Sequence, residues 1–289
     1  MPGENNLEEI KKFWPKDAPD IHSVPKYINK YKKELIVIKY GGNVFIDRKI
    51  FDNFITDLTI LNKLGLSIVV VHGGGPRIKR ELDKSSIESK FIRGLRVTDE
   101  KIINIVESVL IEFNEDIVSS LKKRGFNGIS LNTKENNVIE VKPESEELGF
   151  VGIPNKINVD IIKDKISKNL IPIISPLGLG YNNRTYNING DTAAGAIAKS
   201  LKSRRLLLMT NVEGVLDKNN KLIEEISSSE IIKMVKDGTI TEGMIPKINT
   251  CLDAINNNVT AVAIIDGRKK HSVLFEIFSD KGSGTLIRK

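Results

Sequence analysis

Four charged residues stand beside glycines or at the start of a helical pattern, where chemistry rather than packing would use them: Lys39, Arg96, Asp191 and Lys247. Phosphoryl transfer requires little covalent help from a protein, but it requires positioning and positive charge around the transferring group. Lys39 and Lys247 can supply that charge, and Asp191 can hold two lysines in place. Taken alone, Asp191 also fits an ordinary acidic residue at a helix N-terminus. Arg96 suits a carboxylate, because its guanidinium fork can bind both oxygens.

Two glycine clusters follow two apolar runs that have the composition of buried strands. The first is KYGGN at residues 39–43, and the second is HGGGP at residues 72–76. Glycines let an anion approach backbone N–H groups, and a helix N-terminus adds a favourable dipole. Because ligands gather at the carboxyl ends of parallel strands, the two clusters predict a ligand-binding edge. His72 has no second His or Cys at ligand spacing, so we expect a structural hydrogen-bonding role and no metal site.

The familiar nucleotide-binding and hydrolase motifs are absent from the sequence. GxxxxGK followed by Ser or Thr does not occur, which disfavours a P-loop kinase. GxGxxG with a later acidic residue is also absent, which disfavours a dinucleotide dehydrogenase, and neither HExxH nor GxSxG suggests a hydrolase. A kinase built on this sequence must therefore hold ATP in another way.

The elements around these residues alternate between strand and helix. Apolar, β-branched runs predict buried strands at 35–38, 66–71, 171–175, 205–209 and 260–265. Helical periodicity or capping signals predict helices around 51–61 and at 100–123 (with Thr98 as N-cap), 191–201, 228–236 and 244–257. Short strand-like pieces between residues 132 and 152 indicate a hairpin excursion. This order predicts an α/β fold with a mostly parallel sheet covered on both faces.

The predicted organisation is a leader followed by two lobes around a cleft. Residues 1–33 form a helical extension whose apolar residues, including Trp14, either bury against another subunit or pack on their own domain. A lobe boundary near 177–181, where LGLGY carries two glycines, divides the rest into 34–178 and 179–289.

Bulk composition excludes several classes of protein. The 289 residues are 40% hydrophobic and 28% charged, and neither an 18-residue apolar run nor a secretory signal occurs, so we expect no membrane span. A single cysteine, Cys251, fits the reducing cytoplasm. The charge of +7 comes from dispersed lysines without an aromatic-basic repeat, which disfavours nucleic acid and favours anionic metabolites.

The motifs together resemble the amino acid kinase family, and within it the kinases of N-acetylglutamate, over residues 27–288. The segments that carry the resemblance are IVIKYGGN (36–43), VVVHGGGP (69–76), GLRVTD (94–99), ELGFVG (147–152), NINGDTAAG (187–195), LLMTNVEGVLD (207–217), GMIPK (243–247) and IIDGR (264–268). The resemblance implies an αβα three-layer sandwich with a mainly parallel central sheet. It also implies that the N-terminal lobe (34–178) binds N-acetylglutamate and the C-terminal lobe (179–289) binds ATP.

The same resemblance implies a role for each motif residue. Lys39 and Lys247 would stabilise the transition state, and Asp191 would orient both. Three glycines would offer N–H groups to the moving phosphoryl: Gly41, Gly42 and Gly74. Four residues would hold N-acetylglutamate: Gly74, Gly75, Arg96 and Asn187. Of these, Arg96 would bind the α-carboxylate. Four residues would lie along the nucleotide: Thr210, Asn211, Gly214 and Met244.

The implied reaction is transfer from ATP to the γ-carboxylate of N-acetyl-L-glutamate, the second step of arginine biosynthesis, with Mg²⁺ carried mainly by the ATP phosphates. Members inhibited by arginine carry an N-terminal helix that interlaces dimers into a hexamer, so the resemblance implies a homodimer or a homohexamer. Tyr27, Glu276 and Gly282 match positions of the arginine effector site, whereas Ala263 replaces the usual histidine.

Two other functions remain open on the sequence. One is an amino acid kinase of the aminoadipate or aspartate type, although GLRVTD and IIDGR favour acetylglutamate. The other is a non-catalytic arginine-sensing module, although the presence of Lys39, Asp191 and Lys247 argues against it.

Overall fold

The computed structural model describes residues 4–41, 47–240 and 243–289. The helices in this part of the chain are α1 Glu4–Lys11, α2 Val24–Tyr31, α3 Arg48–Lys63, α4 Gly75–Lys84, α5 Glu100–Lys122, α6 Val159–Ser167, α7 Gly190–Leu201, α8 Ser228–Lys236, α9 Ile245–Asn256 and α10 Ser272–Phe278. Over the same residues, none of the helices combines the length and apolar character that a bilayer crossing requires.

The strands are short, as expected of apolar runs in a doubly covered sheet. They are β1 Leu35–Tyr40, β2 Ser67–His72, β3 Phe91–Ile92, β4 Leu95–Arg96, β5 Gly128–Leu131, β6 Ile139–Pro143, β7 Gly152–Ile157, β8 Ile171–Ile174, β9 Leu177–Leu179, β10 Thr185–Asn187, β11 Arg205–Thr210, β12 Glu225–Ser227, β13 Ala261–Asp266 and β14 Gly284–Arg288.

The central sheet has eight strands in the order β12-β14-β13-β11-β1-β2-β8-β5. Its neighbours are parallel except for β13 and β14. Lys39 on β1 lies in register with Leu208 on β11 and with Val71 on β2. The carboxyl ends of β1, β2 and β11 therefore meet at one edge, where the sequence predicts ligands.

Helices cover both faces of this sheet, and the side chains of β1 alternate between them. Ile36 and Ile38 join a core shared with α2, α3, α5 and α10. Val37 joins the other core, shared with α6, α7, α8 and α9. The predicted three-layer αβα sandwich is confirmed, and the alternation sends Lys39 toward α7 and α9.

A second, four-stranded sheet has the order β10-β9-β6-β7, and β3 pairs with β4 in a small hairpin. The predicted hairpin excursion corresponds to β6 and β7. Residues 177–179, beside the predicted lobe boundary, form β9, where a Cβ on Gly178 would meet Val141 and the Ile139 carbonyl oxygen. Glycine here permits close packing; the lobe boundary itself stays a prediction.

The N-cap of α5 differs from the one predicted. Asp99, rather than Thr98, accepts the Ile102 N–H at 2.8 Å. Thr98 is fully buried and donates its hydroxyl to the Arg96 carbonyl at 2.8 Å. The carbonyl two residues earlier takes the threonine hydroxyl, and the neighbouring aspartate caps the helix N-terminus.

The leader packs on its own chain. Ile10 of α1 is fully buried, and the Trp14 ring lies 6.2 Å from the Phe278 ring of α10. The Trp14 indole N–H donates to the Pro19 carbonyl at 2.8 Å. Packing on its own domain, one of the two predicted possibilities, is therefore present, while a role in oligomerisation stays a prediction.

Candidate active site

Lys39 lies at the carboxyl end of β1 with only 8% of its surface exposed. Its Nζ is 2.9 Å from Oδ1 of Asp191. Gly41 follows so closely that a Cβ there would collide with the Lys39 ammonium. A glycine at this position lets the ammonium lie against the backbone beyond the strand.

Asp191 occupies the first turn of α7, where the Asn189 side chain caps the helix. Oδ1 of Asn189 accepts the N–H groups of Asp191 at 2.9 Å and Thr192 at 3.2 Å. This bond fixes the backbone from which the Asp191 carboxylate projects. The sequence analysis assigned Asn189 no role, although Asn before Gly-Asp at a helix start is a recognisable N-cap signal.

Lys247 reaches the same carboxylate from the first turn of α9, and its Nζ donates to Oδ2 of Asp191. The two helices approach closely, since a Cβ on Gly195 of α7 would meet the Thr250 side chain of α9. The structure therefore brings together the three predicted catalytic residues, one lysine on each carboxylate oxygen.

Burial and mutual attraction set the charges of this triad. Burial by itself would raise the pKa of Asp191, but the two ammonium groups outweigh it and hold that pKa well below its ordinary value. Burial lowers the pKa of Lys39. The Asp191 carboxylate raises that pKa, and the positive charge of Lys247 lowers it. Two ammonium groups on one carboxylate leave an excess positive charge in a mostly buried place, which favours an anionic ligand.

A cavity of about 260 Å³ opens on one side of the triad. Lys39 and Asp191 form part of its wall, and the predicted substrate residues form another part: Gly74, Gly75, Arg96 and Asn187. Arg96 is 8% exposed, stacks 4.7 Å from the Phe91 ring centroid and donates to the Ser89 hydroxyl. Burial lowers the pKa of Arg96.

A second cavity of about 220 Å³ lies at the start of α9 and is lined by Met244, the N-cap residue of that helix, three residues before Lys247. Gly214 and Met244 line it, two of the four residues that the resemblance assigns to the nucleotide; that assignment stays a prediction. Thr210 is buried at the carboxyl end of β11, and Asn211 follows it directly before the first lining residue, Val212.

Gly42 lies outside the described residues, as does Asn43 of the same cluster. The predicted contact of the Gly42 N–H with the phosphoryl group stays a prediction.

A third cavity, of about 120 Å³, contains the three residues predicted for an effector: Tyr27, Glu276 and Gly282. Glu276 is 7% exposed, and its Oε2 accepts the Ser283 N–H at 3.0 Å. Burial raises the pKa of Glu276. Three basic residues among the described parts of the chain also line this cavity, from α2, β11 and the loop after α10: Lys30, Arg205 and Lys281.

Arg205 is the cavity residue that the sequence analysis did not assign. It begins β11, is 7% exposed, and its Nε is buried without a hydrogen-bond partner in the described part of the chain. An arginine at the first position of a buried strand was the available signal, because a buried guanidinium requires an acceptor.

A metal site built from protein ligands does not occur among the described residues, where no three His, Cys, Asp or Glu side chains gather suitably. Asp191 is the acidic residue among the described residues of the 260 Å³ cavity wall, and both its oxygens contact lysines.

Comparison with known proteins places these features in a family. The model of the amino acid kinase family matches residues 34–266. The acetylglutamate kinase of Pelagibacter ubique is 52% identical over 98% of each chain. The acetylglutamate kinase of Clostridioides difficile is 44% identical over 93% of this chain and 96% of its own. The chain belongs to the amino acid kinase family.

Solved structures agree with the amino acid kinase fold. N-acetylglutamate synthase from Neisseria gonorrhoeae, complexed with coenzyme A and N-acetyl-glutamate, matches with a TM-score of 0.84 and 22% identity. The match covers 93% of this chain and 62% of that chain. Carbamate kinase from Giardia lamblia bound to AMP-PNP matches with a TM-score of 0.65 and 18% identity, over 89% and 98% of the two chains. At these identities the likeness concerns the fold alone.

Proposed function

We propose that this protein transfers the γ-phosphoryl group of ATP to the γ-carboxylate of N-acetyl-L-glutamate, the second step of arginine biosynthesis. The observation that carries the proposal is the triad of Lys39, Asp191 and Lys247, in which Lys39 and Asp191 form part of the wall of the 260 Å³ cavity. Relatives named acetylglutamate kinase at 40–52% identity support the choice of substrate.

In this reaction an oxygen of the γ-carboxylate attacks the γ-phosphorus of ATP. A carboxylate O–P bond forms, the bond from phosphorus to the β,γ-bridging oxygen breaks, and ADP leaves with that oxygen and its electron pair. Negative charge is spread over the transferring group and the leaving oxygen. We infer that Lys39 and Lys247 stabilise this charge from fixed positions, which avoids the reorganisation that water would require.

The 260 Å³ cavity suits the acceptor substrate. Arg96 presents a guanidinium for the α-carboxylate, and Phe91 restrains that guanidinium by stacking. Asn187, whose amide lies 3.5 Å from the Thr98 hydroxyl, offers a polar contact for the acetamido group. Lys39 in the same wall then lies where the γ-carboxylate meets the phosphoryl group.

The 220 Å³ cavity suits the nucleotide, with Gly214 and Met244 in its wall and Thr210 and Asn211 just before it. Mg²⁺, when bound with ATP, would neutralise phosphate charge. We infer that it is held by phosphate oxygens and water rather than by a protein cage, since Asp191 is engaged by two lysines.

The third cavity suits a zwitterionic amino acid such as arginine. Glu276 supplies a buried carboxylate for a guanidinium, and Arg205 supplies a buried guanidinium for a carboxylate. Tyr27 connects the cavity to the leader through its hydroxyl, which donates to Asp280 at 2.8 Å. We infer an arginine effector site here, in a cytoplasmic homo-oligomer, either a dimer or a hexamer in which α1 also contacts a second subunit.

An ADP-release assay with a panel of acceptors tests the function. N-acetyl-L-glutamate should support turnover far above L-glutamate and L-aspartate, and hydroxylamine should trap the acyl phosphate as a hydroxamate. Turnover on glutamate or aspartate alone would overturn the substrate, and the absence of turnover on all acceptors would favour the sensing module.

A further inference from the structure

His72 is fully buried at the end of β2, on the face of the sheet opposite Lys39. Its ring lies edge-on to Phe113 of α5, with the ring centroids 4.8 Å apart. Its Nδ1 lies 2.9 Å from the Gly73 carbonyl oxygen. Since a carbonyl oxygen only accepts, Nδ1 must carry the proton in this hydrogen bond.

The ring is a neutral donor. Burial lowers the pKa of His72 to about 4, although the bond to Gly73 opposes the change. The other ring nitrogen, Nε2, is buried and has no hydrogen-bond partner in residues 4–41, 47–240 and 243–289. With Nδ1 protonated, Nε2 of a neutral ring is a bare acceptor, which costs less to bury than a charged N–H.

The bond from His72 fixes one side of a three-glycine run. The Gly73 N–H donates to the Tyr40 carbonyl of β1 at 2.8 Å, and the Gly73 carbonyl accepts from His72. Both peptide groups of Gly73 are thereby attached to the core. Without these bonds, glycine would allow several backbone orientations at this point.

The next peptide group points the other way. In a planar trans peptide the Gly74 N–H is directed opposite to the Gly73 carbonyl, and therefore away from the His72 ring. Residues 73–75 line the 260 Å³ cavity. Gly74 itself is pressed on α5, where a Cβ would collide with Leu110. The direction of one N–H group in the cavity therefore depends on a ring outside it.

We propose that His72 is a positioning residue for phosphoryl transfer, whose Nδ1–H holds the Gly73 carbonyl so that the Gly74 N–H faces the transferring group. The inference rests on the proposed function, in which Gly74 offers its N–H to that group. His72 itself does not touch the substrates and moves no proton.

Three substitutions separate the hydrogen bond from packing. In His72→Asn the amide nitrogen occupies the place of Nδ1 and can donate to Gly73, in His72→Gln the donor lies further out, near the place of Nε2, and in His72→Leu there is none. We expect kcat of His72→Asn within about threefold of wild type, whereas His72→Gln and His72→Leu lose about 30- to 100-fold, as when an oxyanion donor is misdirected. KM values should change by less than about threefold.

A packing control comes from the same core face of α5. Ile117, also fully buried, does not line the 260 Å³ cavity, so Ile117→Val should lower Tm by about 2–4 °C and leave kcat unchanged. Wild-type kcat in both His72→Leu and His72→Gln, or equal losses in His72→Asn and His72→Leu, would overturn the proposal. These variants are compared on whichever acceptor the wild-type protein phosphorylates, so a wrong substrate assignment shows in the wild-type assay and not in the comparison.

The tautomer can be measured without any variant. The full chain has three histidines, so ¹⁵N-labelled rings give few signals. We expect one neutral ring protonated at Nδ1 that stays neutral from pH 8 to about 5. A wild-type protein in which His72 carries its proton on Nε2 would exclude the bond to Gly73 and overturn the proposal, even if every substitution prevented folding.

Discussion

At the scale of single residues, the triad is stable only as a unit. Asp191 is shared between Lys39 and Lys247, and both lysine side chains are largely buried. Removing one member of a buried ion pair leaves an uncompensated charge, which is usually more costly than never having built the pair. The arrangement is therefore better explained by the charge it presents to a ligand than by its contribution to folding.

Lys39→Ala should lower kcat by about 10²–10³-fold, because it removes one fixed cation from the transferring phosphoryl. Lys199 is the matched control: it pairs with Asp253 between α7 and α9, away from the cavities. Lys199→Ala should keep wild-type kcat in the ADP-release assay. A Lys39→Ala enzyme with unchanged kcat would contradict the catalytic assignment.

A second buried pair gives the stability a pH dependence. Burial raises the pKa of Asp57 to about 6. The His271 ring, whose Nδ1 lies 2.6 Å from the carboxylate, and the N–H groups of Leu274 and Val273 act in the opposite direction and lower this pKa. The folded pKa lies above the unfolded value of 3.8, so the folded state binds more protons between these values. The contribution of Asp57 to stability is thus present at low pH and lost as pH rises from about 4 to 6.

Asp57→Asn should remove this loss. We expect the stability of the variant relative to wild type to rise by up to about 3 kcal/mol between pH 4 and 6.5, measured by urea unfolding at each pH. His72 has the opposite sign, since its folded pKa of about 4 lies below the unfolded value of 6.5. His72→Leu should therefore lose relative stability over the same interval; a parallel response of the two variants would contradict these pKa shifts.

At the scale of elements, the starts of helices α7 and α9 determine where the charges lie. The Asn189 cap holds the first turn of α7, and Met244, the N-cap residue of α9, lines the 220 Å³ cavity. Since caps are local features, the Asn189 cap was accessible to sequence reasoning. The cap of α5 was assigned wrongly, because Thr98 and Asp99 are adjacent residues of capping type and the Thr98 hydroxyl bonds instead to the Arg96 carbonyl.

Asn189→Ala should cost about 1 kcal/mol of stability through the lost cap and should also lower kcat, by about tenfold or more, by releasing the backbone at Asp191. The control is Ser227→Ala. Ser227 caps α8 in a capping box on the exposed surface, so its loss should cost a similar amount with no change in kcat. Equal kcat values in the two variants would show that the α7 cap does not position Asp191.

At the scale of the whole molecule, the third cavity, of about 120 Å³, is lined by residues of both the leader and the central sheet. Its wall combines α2, the first residue of β11, and α10 with the loop that follows. A ligand there would contact α2 and α10 at once. Such a ligand stabilises the folded state by mass action and can also influence subunit contacts made by the leader.

L-Arginine should raise Tm of the wild-type protein. At an arginine concentration of 100 times Kd, the free energy of unfolding should increase by about 2.7 kcal/mol. Glu276→Gln should abolish the increase, because the guanidinium loses its buried carboxylate, and L-citrulline should have little effect on wild type. Thermal unfolding with each ligand measures this. An equal response of the variant and the wild type to arginine would exclude the cavity as its site.

Deleting residues 1–20 removes α1 and Trp14 but keeps α2 and Tyr27. We expect a lower Tm, because Phe278 loses its cover, and a fall from hexamer to dimer in light scattering. A full-length protein that is already dimeric, or an assembly unchanged by the deletion, would contradict the role of the leader in oligomerisation.

The sequence by itself determined the residue types, the glycine clusters, five strands of the central sheet and the helices α3, α5, α7, α8 and α9, because these depend on neighbours along the chain. Helix α8, for example, has the predicted bounds 228–236, whereas α6 and α10 were not predicted. The order of strands, by contrast, was decided only by tertiary structure. Local periodicity does not encode that β1 lies between β2 and β11. This strand order brings Lys39 on β1 close to Asp191 on α7 and Lys247 on α9. The same holds for Arg205, whose partners in the third cavity come from segments far apart in the chain.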